Sequence, residues 1–586
     1  MKDMYKVFNR IPGDGRLVAD RHTNTVFPIT RFSSREQVEK RREELKFDLR
    51  MAAGLYPWPE KTPLNIVREL VGRFDGFTVE KIMFETRPGF WSTGNLYLPE
   101  KIDGKAPAVL NVIGHWQRQR LTRLEEADYP QQFANFARMG FVCLTTDMIG
   151  MVDSRQISHE YGGGEKEQWL SNGLGVQLWN NIRALDLLCG MPEVDPEKIG
   201  VTGASGGGSQ TLFLSLVDDR IKAAAPINMI SLRMQGGCAC ENAPGLRRDT
   251  DNGEMCAMLA PRPLFLAGST GDWTNELETA EYPAMLEAYR QYGAEDMVEH
   301  YYQVADHQYN AKTRRRVYGF FARHLMGKDI EWEEQPIDIG DPDDLTFYRG
   351  EGSAPGLSGD GAFFEAFKTE RENAVRRLGG DDKLRMLSWM IGAEGAHAIE
   401  ADGMSEDGDG FSVLKSVVVS ERGEQIPFVL LRPDGWDGEK ICLMISGEGK
   451  SCLDSDEAKD LLSSGSAVLS GDIFLTGEFS GASVEIRGGA QGEKYFTTFH
   501  YTKDAHRVRD IVLLYRIAAG YGREVTLRAV GGTAYLSACA LPLLDGAAKA
   551  VIEGDSLNAA PVIPGIMLLG GAKGCLGMAK CPVSII

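Results

Sequence analysis

A serine, an aspartate and a histidine, Ser205, Asp272 and His307, each follow a short strand-like run in this 586-residue chain. Together they are the equipment of nucleophilic acyl transfer. The imidazole takes the serine proton, and the carboxylate orients the imidazole and stabilises its cation. Ser205 lies in IGVTGASGGGSQT, Ile199 to Thr211. Three β-prone residues lead into Gly-x-Ser-x-Gly, and an apolar, helix-compatible run follows from Ser209 to Leu216. This is the strand–turn–helix setting of a nucleophile elbow. Its turn strains the serine backbone, and Gly203 and Gly207 leave room where a Cβ would collide. The helix N-terminus behind the hydroxyl favours developing negative charge. A Gly-rich turn with an incidental serine would look the same locally, so the partners carry the argument.

Those partners need strands to deliver them. Pro263 to Ala267 is a strand-like run with Asp272 just past its end, and His300 to Val304 does the same for His307. Alone, Asp272 reads as turn chemistry and His307 as a surface histidine. Jointly, the chain order Ser205, Asp272, His307 is that of the α/β-hydrolases, and each gap holds a helix-plus-strand unit of a doubly wound, mostly parallel sheet. An earlier buried-strand run, Ala108 to Ile113, ends in Gly114, His115 and Trp116. The oxyanion hole is expected from the backbone N–H of Gly206 and that of His115, with His115 acting through its main chain. Trp116, Tyr161 and Trp273 are expected to bound the cleft, where aromatic faces suit sugar rings. Gly206 to Gly208 leave room for only a short acyl group. Arg118, Arg120, Arg123, Arg247 and Arg248 could meet an anionic substrate, though such arginines are more often structural.

With these residues on the page, the first ~330 residues resemble bacterial α/β-hydrolases of the acetyl xylan esterase and dienelactone hydrolase type. The matching stretches are RPGFWSTGNLYLPE (Arg87 to Glu100), PAVLNVIGHW (Pro107 to Trp116), GFVCLTTDMIG (Gly140 to Gly150), GVQLWNNIRALDLL (Gly175 to Leu188), the elbow, and CENAPGLRRDTDN with LAPRPLFLAGSTGDWT (Cys240 to Trp273). The resemblance implies a carbohydrate ester as substrate, such as an acetylated xylan fragment. Glucuronoyl esterases share the layout but carry an arginine directly after the nucleophile, where this chain has Gly206.

Composition sets bounds. The chain is 43% hydrophobic and 25% charged, ordinary globular usage. No apolar run approaches a membrane span. The start, MKDMYKVFNRIPGDG, lacks the apolar core of a signal peptide. A cytoplasmic location is expected on that basis, though a leader removed beforehand would leave no trace. A net charge of −19 argues against nucleic acid or an anionic membrane as partner. A homo-oligomer is compatible with the sequence. The ten cysteines do not read as a disulfide framework. Cys238 and Cys240 form a CxC that could bind metal. No second cysteine or histidine pair lies nearby in sequence, so packing is the preferred reading. No cofactor and no metal are expected.

A second unit repeats the first. VLLRP (Val429 to Pro433) mirrors NLYLP, ICLMISGE (Ile441 to Glu448) mirrors PAVLNVIGH, and SAVLSGD (Ser466 to Asp472) mirrors FVCLTTD. The helical run Ala505 to Ala519 and the segment beginning REVTLRAVGGTAYL follow in the same order. Aligned on Val201 and Leu527, Ser205 becomes Gly531, so the second elbow keeps its glycines and loses its nucleophile. KCPVSII resembles the start of the strand before Asp272, and the sequence stops before an acid or histidine could follow. The expected organisation is an N-terminal helical segment (1–75), a catalytic α/β-hydrolase domain (76–333), a linker (334–361) and a degenerate, truncated copy (362–586). The expected activity is a serine esterase for short-chain carbohydrate esters. A serine peptidase, a uronate methyl esterase and a non-enzymatic binding protein are the alternatives.

Overall fold

The computed structural model describes residues 3–8, 11, 13–350, 352–400 and 403–586. It divides into two compact units, His22–Arg371 and Met1–Arg21 with Glu372–Ile586. Each holds its own sheet.

The first unit is built on strands β2 (Val67–Phe74), β3 (Phe77–Arg87), β4 (Phe90–Pro99), β5 (Ala106–Val112), β6 (Val142–Thr146), β7 (Val194–Ala204), β8 (Ala223–Ile227), β9 (Leu264–Ser269) and β10 (Val298–Gln303). Their order is β10-β9-β8-β7-β5-β6-β4-β3-β2. Strands β5 to β10 run parallel, and β2, β3 and β4 form an antiparallel edge. The parallel strands read as continuous apolar runs because both faces are covered. On one face, Phe133 and Phe136 of α2 (Tyr129–Arg138) and Val317 and Phe320 of the helix Ala311–Phe321 share a core with Val109, Cys143, Ala225 and Phe265 of the strands. On the other lie α3 (Gly173–Gly190) and α4 (Gly206–Val217), with α1 (Arg35–Ala52) packed on α4. Ser34 caps α1, its side chain accepting from Gln37 N. Gln37 Oε1 accepts from Ser33 N at 2.9 Å, so no capping box closes on Ser34.

The fold is an α/β-hydrolase sheet, and its strand order fixes where chemistry can sit. Ser205, Asp272 and His307 follow β7, β9 and β10, and His115 follows β5. In parallel sheets the ends of adjacent strands share one edge, so loops distant in sequence converge there.

The second unit contains β11 (Ala398–Glu400), β12 (Met404–Asp407), β13 (Phe411–Ser420), β14 (Gln425–Pro433), β15 (Lys440–Ser446), β16 (Ala467–Gly471), β18 (Glu524–Val530), β19 (Lys549–Ile552) and β20 (Val583–Ile585). Their order is β11-β13-β14-β16-β15-β18-β19-β20, with β12 on β13. From β14 to β20 this repeats the first sheet from β4 to β9, including the crossing of the β15–β16 and β5–β6 pairs. The tandem arrangement read from the sequence is thus present in the topology. Gly531 follows β18 with φ +58°, the same φ of 58° that Ser205 has after β7.

The boundaries differ from the expected ones at both ends. Residues 1–21 cluster with the second unit and not with a separate helical segment. Strand β1 (Val18–Ala19) pairs in parallel with β17 (Glu485–Ile486), Val7 N and Phe8 N donate to Glu478, and Arg16 pairs with Asp510 at 2.6 Å. The expected linker 334–361 is also no tether. Glu334 accepts from Arg314 and Tyr318, and the Leu345 carbonyl accepts from Asn95 and Arg120. Asp153 accepts from Phe347 N and Tyr348 N. This strap has no apolar periodicity because side-chain-to-backbone hydrogen bonds hold it. Glu351 within it lies outside the described residues. After the strap come two helices, Asp360–Arg376 and Gly380–Ile391.

Candidate active site

Ser205 occupies the turn between β7 and α4 with φ 58° and ψ −127°. A non-glycine residue held there is strained by on the order of 1–3 kcal/mol, and the surroundings enforce it. Ser205 N donates to the Ile227 carbonyl at 3.0 Å, and Ser205 O accepts from Gly208 N at 2.7 Å. A Cβ on Gly203 would lie 2.1 Å from the Val112 carbonyl oxygen, and one on Gly207 2.3 Å from the same atom. Backbone crosses backbone at both points, which only glycine permits. The first N–H groups of α4, Gly206 among them, have no intrahelical acceptor.

Asp272 and His307 come together. His307 Nδ1 lies 2.8 Å from Asp272 Oδ2. Asp272 also accepts from Asn228 Nδ2 at 2.7 Å and from Thr274 N at 2.8 Å. Its side chain is 2% exposed. Burial pushes this carboxyl up, but hydrogen bonds from His307, Asn228 and Thr274 outweigh it and hold the group below the usual carboxylate range. His307 Nε2 is buried and has no hydrogen-bond partner among the described residues, Ser205 included. Two indoles pack on the imidazole, Trp116 stacked at 5.8 Å and 10° and Trp273 tilted at 4.5 Å.

The expected aromatic lining therefore changes character. Trp116 and Trp273 are at the site, but their rings pack on His307. Tyr161 is not on a cleft wall. It is fully buried, its hydroxyl bonds Ser171 Oγ at 2.6 Å, and its ring meets Phe363 edge-on. The residues around it, Ser158 to Glu167, are polar and Gly-rich, so nothing in the local sequence marks Tyr161 as a core residue. Two of the arginines offered for anions are committed internally. Buried Arg120 pairs with Asp147 at 2.8 Å and Asp153 at 2.9 Å. Buried Arg247 donates to Asn242, Asn252 and the Glu241 carbonyl.

His115 is the residue whose side chain does more than expected. Its ring lies against the elbow, since a Cβ on Gly206 would be 2.5 Å from His115 Cε1. Its Nε2 faces His159 Nε2 at 3.1 Å and Cys240 Sγ at 3.3 Å. His159 Nε2 in turn lies 3.1 Å from Cys238 Sγ. A hydrogen bond from Cys240 and the two imidazoles hold the Cys238 thiol far below its ordinary range against its burial, while Cys240 is pushed up. His159 and Asn228 escaped the sequence reading. Both lie on loops after strands of the parallel sheet, β6 and β8, and that shared edge was the available signal.

Residues 73–229 match the family model described as acetyl xylan esterase (AXE1). The chain is similar to YtaP of Bacillus subtilis (strain 168), which bears a hydrolase name, at 24% identity over 230 residues, 36% of this chain and 75% of that protein. Among solved structures it is similar to Methylesterase BT1017, with 25% identity, 61% of this chain and 78% of that one covered, and a TM-score of 0.48. It is also similar to a glucuronoyl esterase from Solibacter usitatus, with 16% identity, 54% and 98% covered, and a TM-score of 0.39. The match over residues 73–229 sets the acetyl xylan esterase pattern on an α/β-hydrolase sheet, and the first unit is accordingly a hydrolase of ester bonds.

Proposed function

We propose that the first unit is a serine esterase that hydrolyses short-chain, acetyl-type esters of carbohydrates through an acyl-enzyme. The observation that carries the reading is Ser205 held strained at the head of α4 while, on the same sheet edge, Asp272 binds His307 Nδ1 and leaves Nε2 without a partner. Ser205 attacks the ester carbonyl. His307 accepts the hydroxyl proton at Nε2 and returns it to the leaving alcohol, and Asp272 holds the imidazole with its Nδ1 proton inward. The N–H groups of Gly206 and His115 receive the oxyanion. Water then repeats the sequence on the acyl-enzyme. The close packing of Gly206 to Gly208 under His115 and Met229 supports a small acyl group. Internal use of Arg120 and Arg247 disfavours a uronate as the recognised group.

The second unit, with Gly531 where the nucleophile would stand, is proposed to be catalytically inert. The test is a serine-directed fluorophosphonate probe with an ester screen. Labelling at Ser205 alone, acetate hydrolysed faster than octanoate, and a loss of ~10³-fold or more in Ser205→Ala are expected. A folded Ser205→Ala protein with near-normal turnover refutes the mechanism. Labelling between residues 372 and 586 refutes the inert unit.

A further inference from the structure

His115, His159, Cys238 and Cys240 lie on three separate loops, after β5, after β6 and after β8. Each presents one ligand-type atom, and the four atoms all lie within 4.8 Å of one another. The contacts among them are 3.1 Å (His115 Nε2 to His159 Nε2), 3.1 Å (His159 Nε2 to Cys238 Sγ) and 3.3 Å (Cys240 Sγ to His115 Nε2). A tetrahedral ion with bonds of ~2.0 Å to nitrogen and ~2.3 Å to sulfur needs nitrogen–nitrogen edges of roughly 3.3 Å and nitrogen–sulfur edges of roughly 3.5 Å. These three edges match to within a few tenths of an ångström, and the remaining ones lie within 4.8 Å.

The atoms around the cluster hold its members in ligating orientation. His159 Nδ1 lies 2.9 Å from the Ile149 carbonyl oxygen. A carbonyl only accepts, so this nitrogen carries the proton and Nε2 offers its lone pair, the outer bond that metal-bound histidines usually make. The CxC loop is pinned by Glu241, whose Oε2 accepts from Gly237 N and Cys238 N and whose Oε1 accepts from Ser209 Oγ at 2.7 Å. Gln210 Nε2 donates to the Cys240 carbonyl at 2.8 Å. Ser209 and Gln210 belong to α4, so the thiols are fixed to the elbow helix. Cys240 is fully buried. Two imidazole nitrogens and two thiol sulfurs converge on one centre, and S₂N₂ in a tetrahedron is the donor set of zinc.

We propose that His115, His159, Cys238 and Cys240 bind one zinc-class divalent cation in a closed Cys₂His₂ site beside the nucleophile elbow. Four protein ligands leave no open position for substrate or water, so the ion is structural. It ties three loops of the sheet edge together and anchors the ring of His115 against Gly206. Resting on the esterase reading above, His115 is then a positioning residue. Its ring is held by the metal so that its main-chain N–H stays set for the oxyanion, and Trp116 beside it stays stacked on His307.

The test uses the full chain, purified under reducing conditions without chelator. About one zinc per chain is expected by elemental analysis. After removal of bound metal, Co(II) alone should add at one equivalent, with intense tetrahedral d–d bands and a thiolate-to-cobalt charge-transfer band. His159→Ala and Cys240→Ser should each weaken Co(II) binding by at least tenfold. Retention of less than about a tenth of an equivalent of zinc and of Co(II) by the reduced wild type overturns the proposal. So does a Co(II) complex without the thiolate band, or undiminished uptake by a folded Cys238→Ser/Cys240→Ser protein. The wild-type titration needs no variant to fold. Metal binding without ester hydrolysis would leave this site standing and refute the esterase reading. Ester hydrolysis without metal binding would do the reverse.

Discussion

Replacing Asp272 with Asn tests the proposed chemistry with the least change of shape. Oδ1 of Asp272 accepts from Thr274 N at 2.8 Å, a group that can only donate. The oxygen of the introduced amide must therefore take that place. Its NH₂ then occupies the Oδ2 position, facing Asn228 Nδ2 and His307 Nδ1 at 2.7 and 2.8 Å. Asn228 can rotate its amide, because its Oδ1 has no hydrogen-bond partner now. His307 has one accommodation only, to offer a lone pair at Nδ1 and carry its proton on Nε2. That tautomer cannot accept the Ser205 proton. In a Ser-His-Asp enzyme this change lowers kcat by about 10⁴, which at ~1.36 kcal/mol per tenfold is about 5.4 kcal/mol of transition-state stabilisation. The stability effect has a definite sign. Because the folded carboxyl titrates below its unfolded value, its contribution is present above the unfolded pKa and is lost as pH falls through the folded one. The variant should melt somewhat lower near neutrality and converge with wild type in acid. The assay is aryl acetate hydrolysis at neutral pH for wild type and Asp272→Asn, with thermal melts of both. A folded variant within tenfold of wild-type kcat/KM would remove Asp272 and the tautomer argument from the mechanism.

Three further outcomes follow from the packing. Trp273→Ala removes the indole 4.5 Å from the His307 ring, so kcat should fall by about tenfold or more with KM little changed; a rise in KM alone, measured on an acetylated oligosaccharide, would return Trp273 to substrate binding. Gly203→Ala places a Cβ against the Val112 and Gly207 carbonyls and should cost ~3 kcal/mol or more, whereas Gly190→Ala, with nothing within 4 Å, should be neutral or slightly stabilising; equal melting shifts would contradict the close-approach account of the elbow. Burial pushes the Asp251 carboxyl up to about 7, against backbone hydrogen bonds from Gly253 and Glu254. The folded state therefore binds the extra proton between roughly pH 4 and 7, and this residue's contribution to stability declines as pH rises through that window. Asp251→Asn, which caps equally well, should gain melting temperature relative to wild type from about pH 5 to about pH 8; a pH-independent difference would show that Asp251 ionises normally.

The fold was legible where one physical demand dominates a stretch of chain. Strands buried on both faces cannot vary in polarity, so β5, the second half of β7 and β9 stood out as apolar runs. The elbow was legible because backbone crossings at Gly203 and Gly207 exclude every other residue. Domain edges were not, because the chain there is held by bonds that carry no pattern. Glu478 gathers Val7 and Phe8 from more than 400 positions away, and Leu345 is fastened through its carbonyl, which any residue possesses.

The site shows the same asymmetry more sharply. Asp272 and His307 were legible as a pair because strand order dictates which loops meet, and motif order reports strand order; their catalytic roles are the proposal above. His159 and the Cys238/Cys240 pair obey the same rule, yet sequence distance made them look unrelated: 79 positions separate His159 from Cys238, whose side chains lie 3.1 Å apart. The rule that brings the loops of Ser205, Asp272 and His307 to one sheet edge also gathers two histidines and two cysteines there. The topology does not distinguish a triad from a metal cluster. It brings loops to one edge, and side-chain chemistry decides what is built there. In the two proposals His115 serves both constructions, through its main chain in one and its imidazole in the other. A change to its ring should therefore be felt at Ser205 even though the ring need never touch the substrate.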